Sequence, residues 1–279
     1  MDHGRLKNAP EDESPAPFGT EIGDQVGKKL WRAVVAGGAA AVFTGVAAVP
    51  ADAAEGGASF TRVQVNGGKP IVIGVSKEVA VPTSFRMATT HTWKWPAVFL
   101  YRGGTSDRLW HAIETSDCIK VSAGVCDFKE TMYFDPSEWD MHNSEAGAWK
   151  VAAEVYFQGG GGDTDDEGLT AYVKRNSRLT VNASPEPVTK GGTITVTGKV
   201  TRANWETRKY ASYGGRLVSL QFKPTGATSY TTMKKVYANG SGDLRTTVKA
   251  SKTGTWRWAY YGNTTTGPST SAGDNVVVK

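Results

Sequence analysis

GTWRWAY, at Gly254–Tyr260, alternates between bulky apolar residues and small or polar ones. Alternation with a period of two is the pattern of a β-strand that buries one face. TITVTGKV at Thr193–Val200 and RLVSLQF at Arg216–Phe222 alternate in the same way. The side chains that these three runs should turn toward a core are Ile194, Val196, Val200, Val218, Leu220, Phe222, Trp256, Trp258 and Tyr260. The sequence therefore predicts an all-β fold.

The same motif occurs earlier in the chain. GAWKVA at Gly147–Ala152 and GTWRWA at Gly254–Ala259 share the pattern G-x-W-[K/R]-x-A and start 107 residues apart (147 to 254). A second pair, GGKPIVIGV from Gly67 and GGTITVTGKV from Gly191, looks similar in kind. A repeat spacing near 100 residues fits the size of an immunoglobulin-like sandwich. We therefore expect two tandem immunoglobulin-like β-sandwich domains, each with the motif tryptophan between its sheets.

The domain boundary is predicted near Asn176. LTAYVKR reads as the last strand of the first domain and RLTVNASPEP as the first strand of the second. Domain 1 is therefore assigned to residues 54–175 and domain 2 to residues 178–279. A join this short predicts a stiff tandem rather than a loose tether.

An export signal is predicted ahead of the first domain. Three basic residues precede the apolar run Ala33–Val49, and Ala51–Ala53 fits the small-residue rule for signal peptidase. Residues 26–53 are thus read as a signal peptide, and the polar residues 1–25 as a disordered or misassigned extension. The alternative is a membrane anchor, but the run is shorter than the roughly 20 residues that a spanning helix needs. We expect a secreted protein whose mature part has no transmembrane segment.

The only two cysteines are Cys118 and Cys126. In an exported chain such a pair is more often a disulfide than a metal site. The intervening residues read as two strands of a hairpin with its tip near Ala123. We expect a disulfide that staples this hairpin.

The charges of the two predicted domains are opposite. Residues 54–174 hold 11 Lys and Arg against 16 Asp and Glu, a net charge of −5, and residues 175–279 hold 16 against 4, a net charge of +12. A basic extracellular domain favours an anionic partner, such as a cell-wall polymer or an acidic polysaccharide, and nucleic acid is not expected. The alternative is that the charges serve solubility alone.

Cations and aromatic residues are mixed in NWETRKYASYGG, which lacks alternation and reads as a loop. Loops at the end of a sandwich often carry recognition, and aromatic rings with Arg or Lys suit anionic sugars. The candidate ligand-binding residues are Trp205, Arg208, Lys209, Tyr210 and Tyr213. The alternative is that this loop folds back over a sheet edge.

The run GGGGDTDDEG, residues 159–168, matches half of a calcium loop. Asp163, Asp165 and Glu167 fall at the first three ligand positions of an EF-hand, with Gly168 at the sixth. Lys174 occupies the twelfth position, where a bidentate glutamate is required. Calcium is therefore kept as an alternative with these three residues as ligands. The other interpretation is a hairpin loop made flexible by glycine and soluble by its acids.

Signatures of catalysis are weak. An acidic turn carries Asp135, Glu138, Asp140 and His142, which superficially suits an extracellular hydrolase with two carboxyl groups. Nothing in the sequence selects that pair over an exposed acidic turn. The histidines lack zinc-binding spacing, and no nucleophile elbow or phosphate loop occurs. We expect a non-enzymatic protein that acts by adhesion, scaffolding or binding of an anionic polymer.

Several segments resemble a known group of proteins. LTVNASPEPVTKGGTITVTGKV and GTWRWAYYGNTTTGPSTSAGDNVVVK resemble the C-terminal domain of exported actinobacterial proteins that pair two Ig-like β-domains. DCIKVSAGVCDF and FDPSEWDMHNSEAGAWKV are similar to the partner domain of the same group. The resemblance implies this fold and export, and it implies no established activity. Some members bear a calcium-binding label.

Overall fold

The computed structural model describes residues 57–104, 108–111, 117–137, 141–166 and 168–279, with only the backbone for 108–111. The predicted extension and signal peptide, residues 1–25 and 26–53, lie outside the described residues. The described chain consists of β-strands and turns, with two three-residue 3-10 turns at Asn66–Gly68 and Asn143–Glu145. The all-β prediction is confirmed. No helix in the described part of the chain is long and apolar enough to cross a membrane.

Residues up to Arg175 form two sheets. Their strands are β1 (Ala58–Val65), β2 (Ile71–Ile73), β3 (Val79–Thr89), β4 (Trp93–Tyr101), β5 (Arg108–His111), β6 (Ile119–Ser122), β7 (Val125–Phe134), β8 (Gly147–Phe157), β9 (Gly162–Asp165) and β10 (Thr170–Arg175). One sheet has the order β1-β3-β7-β6, and the other has the order β2-β10-β8-β4-β5 with β9 beside β8. The pairs are antiparallel except β2 with β10, which is parallel. We refer to this pair of sheets as the first sandwich.

The remaining strands form a second pair of sheets. They are β11 (Ser177–Leu179), β12 (Asn182–Ser184), β13 (Thr193–Asn204), β14 (Lys209–Ser212), β15 (Leu217–Pro224), β16 (Thr231–Tyr237), β17 (Asp243–Lys249), β18 (Gly254–Tyr260), β19 (Ser269–Thr270) and β20 (Asp274–Val276). Strand β13 pairs with β11, β12, β14 and β17, and the facing sheet has the order β16-β15-β18 followed by β19 and β20. This is the second sandwich.

The alternating runs build the second core as predicted. All nine side chains expected to face inward are buried in one apolar cluster between the two sheets. Phe222 and Trp256, on neighbouring strands, have ring centroids 4.4 Å apart. The period-two pattern therefore identifies which face of each strand is covered.

The two motif tryptophans occupy corresponding strands. Trp149 on β8 and Trp256 on β18 each expose 1% of their surface, and each lies in the core of its own sandwich. The prediction for both residues is confirmed. The predicted equivalence of the runs from Gly67 and Gly191 is wrong. The first run leads into β2, a short strand parallel to β10, whereas the second leads into the long antiparallel β13. The counterpart of β2 is Val188, which forms a parallel bridge with Val278.

Gly198 permits a close approach between the sheets of the second sandwich. A Cβ at this position would lie 2.8 Å from the indole of Trp258 and would also overlap the carbonyl oxygen of Thr180. The same indole donates from Nε1 to the carbonyl oxygen of Thr197 at 3.0 Å. Only a residue without a side chain fits between this strand and the ring.

The predicted disulfide is present. Cys118 and Cys126 are bonded, and the described residues contain no free cysteine. Strands β6 and β7 pair as an antiparallel hairpin around a turn at Ala123 and Gly124. The bond therefore closes the edge of the first sandwich near the tip of this hairpin, as expected.

Candidate binding surfaces

The segment predicted to be a recognition loop is a tight hairpin. Strand β13 runs to Asn204, and β14 pairs back against it from Lys209, so four residues form the turn. Arg208 closes the turn with a positive φ of 52°. The expectation of a long loop is therefore wrong, since β14 extends a sheet of the second sandwich.

Trp205, at the tip of this hairpin, is not available to a ligand. It exposes only 2% of its surface and packs into the apolar cluster of the first sandwich. Its Nε1 donates to the carbonyl oxygen of Ile73 at 3.3 Å, and its main-chain nitrogen donates to Oδ1 of Asn143 at 3.1 Å. The prediction that Trp205 contacts a ligand is corrected, because the ring fills a gap between the two sandwiches.

Polar contacts surround this tryptophan. Asn143 also donates to Asn204 at 3.0 Å and to the carboxylate of Glu206. Arg175 lies nearby, buried, and its Nε donates to the carbonyl oxygen of Ala203. Burial, together with the charge of Arg202, lowers the pKa of Arg175 to about 10. These groups form hydrogen bonds between the first and the second sandwich. We therefore assign them a role in holding the sandwiches together.

Tyr213 is also buried, with 6% of its surface exposed. Its hydroxyl oxygen accepts hydrogen bonds from Nδ2 of Asn263 at 2.9 Å and from the hydroxyl of Thr266 at 3.1 Å. The guanidinium groups of Arg202 and Arg216 lie 4.3 and 4.9 Å from its ring centroid. Tyr213 therefore belongs to the core. The prediction that it contacts a ligand is wrong for the same reason as for Trp205.

This environment changes the acidity of Tyr213. Burial alone raises the pKa of a tyrosine, because it penalises the phenolate. Hydrogen bonds from Thr266, Tyr260 and Asn263 and the charge of Arg202 outweigh burial and lower the pKa of Tyr213 to about 8. Burial and the same hydroxyl contact raise the pKa of Tyr260.

Three of the five candidate residues retain some exposure. Arg208 and Lys209 are exposed on the hairpin. Tyr210 is half-buried, donates from its hydroxyl to Oδ1 of Asn176 at 2.8 Å, and lies 3.7 Å from the guanidinium of Arg178. The segment thus leaves two cations at the surface and no open aromatic ring.

The acidic segment is a strand rather than a long loop. The turn of this hairpin lies at Gln158–Gly161, and β9 carries Asp163 back along β8. One carboxylate oxygen of Asp163 accepts from the main-chain nitrogen of Ala58 at 2.9 Å, and the other accepts from Thr164 at 2.9 Å. Asp163 therefore ties the first strand of the sandwich to β9.

No group of three or more potential metal ligands occurs within the described residues. Glu167, the third predicted ligand, lies outside them. The nearby Asp166 accepts a hydrogen bond from the hydroxyl of Tyr101 at 3.3 Å. Calcium at Asp163 and Asp165 stays a prediction.

The acidic turn considered for hydrolysis is partly described. Asp135 accepts from the main-chain nitrogen and the hydroxyl of Ser137, at 2.7 and 2.6 Å, as a turn-capping carboxylate does. The main-chain nitrogen of His142 donates to Glu145 at 2.9 Å. Glu138 and Asp140 lie outside the described residues. The carboxylate of Asp135 therefore organises its own turn.

An open basic face lies elsewhere, on the outer side of β15, β16 and β18. These three neighbouring strands contain four cations and no Asp or Glu. Lys223, Lys235 and Arg257 lie on the outer side, whereas Lys234 is in register with the buried Leu220 and therefore points to the inner side. In register, Ser219 lies between Lys235 and Ala259, and Gln221 lies between Thr232 and Arg257. We call the outer side of these three strands the C-sheet face.

Aromatic rings lie among these cations. Arg257 and Lys223 approach the ring of Tyr230, at 3.7 and 5.1 Å from its centroid. Tyr261 and Tyr237 are exposed, at 65% and 70%. Sequence reasoning missed this face, although the signal was present: the polar positions of the alternating runs carry only cations and neutral residues.

Comparison with known proteins identifies no family for this chain. No protein-family model and no curated protein matches the chain. Similar solved structures include the fibronectin(III)-like modules of Clostridium thermocellum CbhA, at TM-score 0.32 and 9% identity over 77% of this chain and 92% of that one. Others are the D00-D0 domain of Intimin, at TM-score 0.26 and 14% identity over 77% and 99% of the two chains, and tandem Ig repeats of Dlar, at 0.22 and 10% over 80% and 98%. Because these TM-scores are low, the assignment to immunoglobulin-like sandwiches rests on strand pairing.

Proposed function

We propose that this protein is a non-enzymatic binding module that acts outside the cell, at or near the envelope, by holding an anionic polymer on its second sandwich. The C-sheet face carries the proposal. Three adjacent strands place three cations, Lys223, Lys235 and Arg257, and no acid on the outer side of one sheet. Positive potential of this kind attracts polyanions and raises their association rate.

Charge distribution in the rest of the second sandwich supports the same conclusion. From Thr207 to the end of the chain the only acids are Asp243 and Asp274. Asp243 pairs with Lys199 at 2.9 Å on the opposite sheet, and Asp274 accepts from the main-chain nitrogen of Ala183. Neither acid belongs to the three strands of the C-sheet face. The positive charge of this face is therefore not neutralised by a carboxylate on the same strands.

Export and lack of catalysis complete the proposal. The basic residues, apolar run and small-residue site before Ala54 support secretion. The resemblance to exported actinobacterial proteins with two Ig-like domains points the same way. Immunoglobulin-like and fibronectin-like sandwiches are typical of adhesion and scaffolding modules. Of the carboxylates in the candidate hydrolase turn, the structure describes Asp135. Its carboxylate accepts a hydrogen bond from Ser137, which supports a structural role for Asp135.

A salt-dependent binding assay tests the proposal. The full chain is titrated with polygalacturonate, dextran sulfate and polyphosphate at 50 and 200 mM salt. We expect binding to at least one polyanion that weakens steeply with salt, as counterion release requires. The double variant Lys223→Gln/Lys235→Gln, which removes two cations of the C-sheet face, should bind about tenfold more weakly at low salt.

A matched pair from the first sandwich provides the control. Lys69 and Lys77 are exposed there, and Lys69→Gln/Lys77→Gln removes the same charge from the acidic half of the chain. This control should retain nearly all binding. Absence of binding to all three polyanions, or equal weakening by both double variants, would contradict the proposal.

A further inference from the structure

Tyr261 lies across the C-sheet face. It follows β18 directly, yet its hydroxyl accepts a hydrogen bond from Nε2 of Gln221 on β15 at 3.2 Å. A tyrosine anchored at both ends, over two neighbouring strands, must lay its ring along the sheet. Because 65% of the residue is exposed, one side of the ring faces solvent.

Arg257 is held beside this ring in a defined orientation. Its Nε donates to Oε1 of Gln221 at 2.8 Å, the same amide group that donates to Tyr261. Its guanidinium carbon lies 3.7 Å from the centroid of Tyr230, so the group is stacked on that ring. Within the described residues its terminal nitrogens have no hydrogen-bond partner. Gln221 therefore couples the ring of Tyr261 to a half-buried, oriented guanidinium group.

We propose that the C-sheet face is a binding site for an acidic polysaccharide, with a sugar ring stacked on Tyr261 and its anionic group bound by Arg257. This inference rests on the proposed function and identifies the class of polymer. The C–H groups on one side of a sugar ring are attracted to the negative face of an aromatic ring. The planar guanidinium group of an arginine forms a fork that binds a carboxylate or sulfate with two hydrogen bonds.

The shape of the face favours an extended polysaccharide over other anions. Small ligands bind in concave cavities, and two cavities of about 670 and 300 Å³ both lie in the first sandwich. Single-stranded nucleic acid binds in a charged groove with several stacking rings along its backbone. The C-sheet face is the outer side of a sheet rather than a groove, and its exposed rings lie among cations, which fits a chain of sugar rings that carries anionic groups.

The test uses the full chain and four probes: polygalacturonate, dextran sulfate, neutral dextran and a single-stranded oligothymidylate. We expect binding to one or both acidic polysaccharides and only weak binding to dextran and DNA. Tyr261→Ala should reduce polysaccharide affinity about tenfold with little change in salt dependence, since it removes stacking and no charge. Arg257→Gln should reduce affinity and also lower the salt slope by about one.

Two controls separate this site from general attraction to a basic domain. Lys249→Gln removes one exposed cation from β17 in the opposite sheet, and Tyr133→Ala removes an exposed ring from β7 in the first sandwich. Both should bind as the wild type does, and all variants should melt within a few degrees of it.

The outcomes distinguish the two proposals. If the wild type binds no polyanion, the proposed function itself fails. If it binds acidic polysaccharide but Tyr261→Ala is unchanged, or Lys249→Gln weakens binding as much as Arg257→Gln, the site assignment is wrong. Tighter binding to oligothymidylate than to either polysaccharide would identify nucleic acid as the ligand and overturn the assignment of polymer class.

Discussion

The indole nitrogen of Trp205 donates a hydrogen bond to the carbonyl oxygen of Ile73, 132 residues earlier in the chain. Trp205 lies at the tip of the β13–β14 hairpin of the second sandwich, but its ring packs in the core of the first. Ile73 lies on β2, and the main-chain nitrogen of Asn176 donates to the same carbonyl at 2.8 Å. This one backbone oxygen thus accepts two hydrogen bonds, one from the residue that joins the sandwiches and one from the tip of the hairpin. Both sandwiches accordingly fall within one compact unit.

Replacing Trp205 by alanine should destabilise the protein without affecting the C-sheet face. We expect a loss of about 3–5 kcal/mol in the free energy of unfolding, because a large buried ring is removed from a packed site. Urea denaturation of the full chain measures it. Tyr237→Ala, at a position 70% exposed, is the control and should change stability by less than about 0.5 kcal/mol. A Trp205→Ala protein of normal stability but lower polymer affinity would restore the recognition-loop interpretation.

Gly198→Ala should destabilise the second sandwich. The added methyl group would meet Trp258 at 2.8 Å and the backbone at Thr180, neither of which has room to move. Overpacking of this kind costs about 1–3 kcal/mol, measured as a lower urea midpoint. A methyl group added at Gly240 would meet no atom within 4 Å, and the φ of Gly240 is not positive, so Gly240→Ala is a matched control. Equal stability of the two variants would contradict the proposed close approach.

Asp163→Asn tests whether the acidic strand has a structural role. The variant keeps the size of the side chain but weakens the bond from the main-chain nitrogen of Ala58. We expect a loss of about 1 kcal/mol and faster hydrogen exchange at the Ala58 amide. The effect should be the same with and without 5 mM calcium, about the concentration at which weak extracellular sites fill. Calcium that stabilises the wild type and not the variant would instead support the metal site.

Tyr213 should ionise well below an ordinary tyrosine. With its pKa lowered to about 8 in the folded protein and near 10 when unfolded, the folded state releases this proton first. Stability contributed by Tyr213 is therefore absent below pH 8, grows between pH 8 and 10, and is complete above that range. Absorbance near 295 nm should show one ionisation around pH 8 in the wild type.

Tyr213→Phe should lack that step, and its stability relative to the wild type should decline from pH 8 to 10. Tyr237→Phe, which changes an exposed tyrosine, should leave the early ionisation in place. An unchanged titration curve in Tyr213→Phe would show that another group is responsible.

Much of the fold was predictable because it depends on local periodicity. Alternation along a strand directly reports which face is covered, so the inward positions of β13, β15 and β18 were all correct. The disulfide was predictable because two cysteines only eight residues apart, in a chain predicted to be exported, are more often bonded to each other than metal ligands. The motif pair containing Trp149 and Trp256 was recognisable because both residues fill the same place between sheets.

The candidate site was not predictable in the same way. Trp205 and Tyr213 stand among cations in a segment without alternation, and sequence alone describes an exposed loop equally well. Their burial depends on Ile73, Asn143 and Thr266, which are distant along the chain and reach these rings only after both sandwiches have formed.

The amino-acid sequence by itself determined the β-strands, the face that each strand buries, the disulfide and the opposite charges of the two halves. These properties follow from neighbours within a few residues or from composition. The tertiary structure decided which aromatic residues are available for binding: it covers Trp205 with the first sandwich and lays Tyr261 open beside Arg257. The reason is physical: exposure of a ring depends on which distant segment packs against it, and no local pattern in the chain specifies that segment.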